Sequence, residues 1–175
     1  MKQGMPEIEV LVADESDYPE IKEGLQTAFQ KGAEEGLGEC KDPILPISDI
    51  DESIDCEGSI VYKAVSDGEI VGGAIVSVKE DEGRGDLLLL YVKVGQQGKG
   101  IGQAIWRHIE GSHPNISVWE TNTPYFEKRN IHFYINCLGF HAVEFYSDHH
   151  KDPNFPDMMD DIGESFRFEK RVRKG

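Results

Sequence analysis

The sequence predicts an α+β fold over residues 1–175 as a single domain: a mixed, mostly antiparallel central sheet of about seven strands with flanking helices. Three observations predict it. Strand-like segments outnumber helix-like ones. Three of them meander through short turns between Ser59 and Val94, which is antiparallel traffic rather than a doubly wound sheet. The third ends in a glycine cluster that runs straight into a helical pattern, "LLLLYVKVGQQGKGIGQAIWRHIEG" from Leu87 to Gly111.

The elements follow in order. "EIEVLVA" sets Ile8, Val10 and Val12 on one face of a strand. A helix follows, with Ser16 or Asp17 as cap, Pro19 in its first turn, and Ile21, Leu25 and Phe29 at helical spacing. Residues 41–58 are acidic, carry Pro43 and Pro46, and read as a loop with one short helix around "ISDIDES". "SIVYKAV" and "EIVGGAIVSVKE" flank "SDG", a hairpin signal with Gly68 free to take positive φ. "DLLLLYVKV" is apolar nearly throughout and predicts a central strand covered on both faces. The next helix runs from Ile101 to Glu110, with Gly111 to end it. "ISVWETN" is a strand, and "KRNIHFYINCLG" a short helix with Ile131, Ile135 and Leu138 on one stripe. "FHAVEFY" and "SFRFEKRV" are two further strands around the polar loop 147–164.

Composition narrows the function. Lys plus Arg is 18 against 33 for Asp plus Glu, a formal net charge of -15. That balance argues against general nucleic-acid partners and anionic membrane surfaces. Cys40, Cys56 and Cys137 are too few and too scattered for a disulfide framework or a zinc site. The first residues lack the apolar core of a signal peptide, and no apolar run nears the roughly 20 residues of a membrane span. A reducing cytoplasm is the expected compartment.

The glycine junction is built for phosphate. Gly98, Gly100 and Gly102 leave the backbone amides approachable, the helix N-terminus adds about half a positive charge, and Lys99 adds a full one. Two common nucleotide motifs fail here. Gly95 and Gly100 have P-loop separation, but Ile101 stands where the lysine belongs. Gly98 and Gly100 begin a dinucleotide fingerprint, but Gln103 occupies the third glycine's place.

"LYVKVGQQGKGIGQAIW" resembles the acetyl-CoA loop of the GCN5-related N-acetyltransferases, where Gln or Arg, two residues, Gly, one residue, then Gly or Ala follow the fourth strand. Gln97, Gly100 and Gly102 match it, and the predicted element order extends the resemblance over nearly the whole chain. The resemblance implies the acyl-CoA N-acyltransferase fold, in which the fourth and fifth strands splay around the pantetheine arm. It implies that Val92 and Val94 bond the pantetheine amides. It implies that the loop Gln97, Gly98, Lys99, Gly100, Ile101 and Gly102, with Gln103, holds the pyrophosphate. "RNIHFYINCLGF" resembles the family segment in which an Asn bonds the pantetheine and a Tyr sits by the thioester. By that resemblance Asn130 and Phe133 belong to the cofactor site and Tyr134 is the general acid. His132 departs from the small residue usual there. The family's carboxylate at the centre of the fourth strand has no match in "DLLLLYVKV", so Glu120 of "SVWETN" is the substitute base, with Tyr91 and His132 behind it. The Val92 amide is the oxyanion donor.

The resemblance therefore implies acetyl transfer from acetyl-CoA, without a metal, to a small-molecule or protein amine by direct attack in a ternary complex. A non-catalytic acyl-CoA-binding or sensing module of the same fold is the alternative. A homodimer is compatible with it. Asp49, Asp51, Glu52 and Asp55 in one loop and Asp157, Asp160 and Asp161 in the other give the acceptor side an acidic character that would suit a cationic amine, but solvated loops are the better account of it. His149, His150 and Asp152 read as a polar loop rather than a metal cluster, and Cys137 as packing.

Overall fold

The computed structural model describes residues 7–154 and 163–172. The chain runs β1 (Glu9–Val12), α1 (Tyr18–Leu37), α2 (Ile47–Asp55), β2 (Ser59–Ser66), β3 (Glu69–Lys79), β4 (Arg84–Val92), α3 (Ile101–Ser112), β5 (Val118–Pro124), α4 (Lys128–His132), β6 (His141–Tyr146) and β7 (Ser165–Arg171). The strands form one seven-stranded sheet in the order β1-β2-β3-β4-β5-β7-β6. The contact between β4 and β5 is parallel and the others are antiparallel, as the meander and hairpin signals predict. The β2–β3 hairpin turns on Asp67 and Gly68, both at positive φ.

Two cores form, one on each face. Against α3, Ile105, Trp106 and Ile109 meet Trp119, Phe140 and Phe168, and the two indoles cross edge-to-face at 5.1 Å. Against α1 and α2, Ile21, Leu25 and Ile50 cover Ile75 and Tyr91. Fully burying such a side chain stabilises the fold by about 1.5–3 kcal/mol.

The site owes its existence to an irregularity in β4. Ile75 pairs with Leu89 and Val76 with Leu87, so Leu88 is an extra residue in β4. A bulge of this kind reverses which face each later residue sees. Hence Leu87 packs toward α3 while Tyr91, four residues on, packs toward α1. A strand covered on both faces is not what results: Leu88, Leu89 and Leu90 are only half-buried, because β4 borders an opening.

Four local expectations change. Cys137, expected to pack, is exposed. Val12 is 61% exposed, because β1 is an edge strand and only Val10 reaches the core. α3 continues through Gly111 to Ser112, since an exposed glycine with open space around it does not force a stop. Ile135 points outward at 37% exposure. Its segment, Phe133–Cys137, is a π-helical turn closed by Leu138 N–H donating to the Phe133 carbonyl at 3.0 Å, and this wider turn rotates the predicted stripe out of phase. Residues 155–162, with Asp157, Asp160 and Asp161, lie outside the described residues.

Candidate active site

The parallel contact between β4 and β5 is short. Arg84 pairs with Val118, Gly85 with Trp119 and Asp86 with Glu120. One residue later the Thr121 hydroxyl donates to the Leu87 carbonyl at 2.9 Å, and among the described residues the ladder ends there. The strands then splay. Lys93 N–H donates to the Val71 carbonyl at 2.8 Å, which ties that residue to β3 and turns the N–H and C=O of its neighbour Val92 the other way, into the fork. Buried backbone groups need partners. This edge offers them to any extended, amide-bearing molecule laid between β4 and β5.

The fork opens into a cavity of about 790 Å³, within the range that holds small molecules and cofactors. Leu90 and Val92 form one wall. The glycine loop closes one end: Gln97, Gly98, Gly100, Ile101, Gly102 and Gln103 all line it. Gly98 and Gly100 sit at φ 80° and 77°, conformations that favour glycine, with nothing within 4 Å of where a Cβ would stand. Gly100 caps α3, so the first N–H groups of that helix lack helical partners and face this space. Gln97 accepts a hydrogen bond from Gly95 N–H at 3.0 Å and stiffens the turn. Gly102 has a second reason to be glycine, since a Cβ there would stand 2.7 Å from the Phe133 ring. Asn130 and Phe133 also face the cavity, whereas Val94 and the exposed Lys99 do not line it.

Tyr134 behaves differently from its helical neighbour Asn130. The π turn swings it inward to 6% exposure, against Phe140 and Phe168 and toward β5. Burial pushes its hydroxyl pKa up to about 12; hydrogen bonding with Thr121 and Thr123 opposes the rise, and the charge of Glu127 adds to it. The hydroxyl therefore keeps its proton at neutral pH, beside the point where the strands part.

Glu120 lies at the closed end of the fork, on the face opposite Thr121 and Thr123. Its carboxylate accepts from Arg167 at 3.2 Å, and Arg167 also holds Glu169 and Glu144, each at 3.0 Å. Its strand partner Asp86 stands at the start of an apolar run, and nothing in the sequence sets it beside Glu120. Burial, followed by the nearby Glu120 charge, raises the Asp86 pKa. Of the weaker base candidates, Tyr91 is buried beneath Gly24 of α1 and His132 is exposed, its ring held by Asn136 at 2.8 Å.

The sequence reading also missed Glu127 and the part of α1 that roofs the cavity. Gly24, Ala28, Gly32 and Gly36 recur every four residues and form a small-residue face. A Cβ on Gly36 would stand 2.9 Å from the Phe126 carbonyl oxygen, and one on Gly32 3.1 Å from a Glu127 oxygen. That spacing was legible as a close-packing face, though not what packs on it. Arg129 reaches Glu35 at 3.5 Å across the rim. Among the described residues no group of His, Cys, Asp or Glu is placed to hold a metal ion, and no helix is long and apolar enough to cross a membrane.

Comparisons with known proteins agree with this geometry. Residues 57–142 match the acetyltransferase (GNAT) domain family. The uncharacterized protein YrkN of Bacillus subtilis is 41% identical, with 97% of this chain and 96% of that one covered. Among solved structures, the ribosomal-protein-S18-alanine N-acetyltransferase of Escherichia coli superposes with a TM-score of 0.70 at 12% identity, covering 97% of this chain and 96% of that one. A Bacillus subtilis acetyltransferase in complex with CoA gives 0.69 at 17% identity, covering 95% and 100%. The PaiA N-acetyltransferase of Thermoplasma acidophilum, in complex with coenzyme A, gives 0.68 at 16% identity, covering 95% and 99%. The fold and the domain match together carry the conclusion that the chain belongs to the GCN5-related N-acetyltransferase (GNAT) superfamily.

Proposed function

We propose that the chain is an acyl-CoA-dependent N-acyltransferase that moves an acetyl group from acetyl-CoA to a primary amine by direct attack in a ternary complex. The observation that carries this reading is the fork between β4 and β5, which opens into a cavity ending in the glycine loop. The fit is specific: open space over Gly98 and Gly100 for a pyrophosphate, and an outward-turned Val92 amide for a pantetheine amide. The solved neighbours that carry CoA support it.

The chain's own groups divide the work. At the closed end, Glu120 accepts a proton from the acceptor ammonium, directly or through water, with Asp86 beside it. The neutral amine nitrogen bonds to the carbonyl carbon as the carbon–sulfur bond breaks. Val92 N–H stabilises the negative charge gathering on the carbonyl oxygen. Tyr134 gives its proton to the departing thiolate, and the second proton that the nitrogen sheds in becoming an amide restores the Tyr134 hydroxyl. The acceptor is a small-molecule or protein amine.

Release of free thiol from acetyl-CoA across a panel of amines tests the reading. Amine-dependent release is expected in the wild type. Glu120→Gln is expected to lower turnover by roughly a hundredfold, the lower range for a general base, and Asp86→Asn to move the acidic limb of the pH–rate profile. Binding of acetyl-CoA without release for any amine would favour a sensing module instead.

A further inference from the structure

We propose that Glu127 serves this cavity as a protonated carboxyl that donates a hydrogen bond to a carbonyl of the acyl-CoA amide arm, so that acyl-CoA affinity falls as pH rises. The proposal rests on the acyl-CoA reading above.

Glu127 stands at the N-terminal end of α4, lines the cavity and is only 6% exposed. A buried carboxylate normally has a cation or several N–H donors around it. Glu127 has one neutral partner: Asn130 Nδ2 donates to Oε2 at 3.3 Å. Its side chain makes no capping bond to the α4 backbone. Among the described residues no cation reaches it within 4 Å, although three line the same cavity. Arg129 turns to Glu35 at 3.5 Å, Lys128 sits over the Tyr125 ring at 4.9 Å, and Lys31 is exposed at the rim and makes no ion pair with Glu127. From α1, Glu35 faces Glu127 as a like charge. From the π turn and β4, Tyr134 and Tyr91 bring phenols whose pKa burial pushes up, so they stay neutral.

Burial first, and then the charge of Glu35, raises the Glu127 pKa above its ordinary 4.5. Oε2 already accepts from Asn130, and the absent Cβ of Gly32 leaves room for the carboxyl, since it would stand 3.1 Å from that oxygen. The remaining oxygen, as O–H, is free to donate into the cavity. Val92 C=O takes an N–H of the arm on the β4 side, and Glu127 donates to a carbonyl from the opposite wall.

The sign follows from linkage. If binding needs the proton, affinity is level below the Glu127 pKa. Above it, affinity drops by up to about tenfold per pH unit, until the still higher pKa of the complex is reached. Dissociation constants for acetyl-CoA and for 3′-dephospho-acetyl-CoA, which lacks the titrating 3′-phosphate, measured from about pH 5 to about pH 8, test this. Glu127→Gln keeps a donor and cannot ionise. It is expected to match the wild type at the acid end and to bind about tenfold more tightly at the alkaline end, with a flat profile for the dephospho compound. Wild-type binding is also expected to take up a proton at the alkaline end, read by calorimetry in two buffers of different ionisation enthalpy, which needs no variant. Parallel profiles for wild type and Glu127→Gln, or wild-type affinity that rises with pH, would overturn the proposal. Failure of both proteins to bind either compound at any pH would instead overturn the acyl-CoA reading on which it rests.

Discussion

Replacing Tyr134 by Phe is expected to lower turnover by roughly a hundredfold to ten-thousandfold while leaving the acetyl-CoA dissociation constant within about twofold. The asymmetry comes from where the π turn puts the side chain. The ring is packed on Phe140 and Phe168, and Phe keeps those contacts. The hydroxyl, by contrast, lies against Thr121 and Thr123 at the point where β4 and β5 part, outside the cavity wall that would grip the nucleotide end. Losing it removes a proton donor with a pKa near 12, not a binding contact. Steady-state kinetics with calorimetric binding check the split. Unchanged turnover would remove Tyr134 as the acid; an equal fall in affinity would make it a binding residue.

Gly100→Asp is expected to cost at least about a hundredfold in acetyl-CoA affinity, because like charges brought together in a site cost several kcal/mol. Gly100 caps α3 at φ 77° with open space over it, the place left for a pyrophosphate. Aspartate tolerates this backbone better than most residues, so the fold is expected to survive. Gly100→Asn, of the same shape and the same tolerance but uncharged, separates charge from bulk. It is expected to lose much less affinity, and equal losses for the two variants would mean the loop holds no anion.

What the sequence shows of this molecule depends on the range of the interaction. The seven strands, the hairpin at Asp67 and Gly68 and the glycine loop follow from alternation and turn chemistry, which act over a few residues. The fork does not. It depends on one extra residue in β4, and nothing in "LLLL" says which leucine bulges. The π turn is hidden for the same reason. Its i+5 bond looks helical in sequence, yet it separates Asn130, on the cavity, from Tyr134, in the core, although they stand four apart.

The carboxylates were harder still. Asp86 borders an apolar strand and comes beside Glu120 only through the parallel register. Glu127 looks like one more charge in an acidic chain until α1 closes over it with Gly32. The small residues of α1 at every fourth position were present in the sequence, but the loop that Gly32 and Gly36 meet is about 90 residues away, beyond the reach of pattern reasoning.

The cavity between β4, α1 and α4 is expected to take acyl-CoA, and a calorimetric titration of the wild-type chain with acetyl-CoA tests that directly. Saturable binding of one acetyl-CoA per chain is predicted, with a matching rise in melting temperature; at a hundredfold excess over the dissociation constant it is worth about 2.7 kcal/mol of added stability. No detectable heat and no shift with acetyl-CoA, under conditions where ATP or NAD gives both, would contradict it.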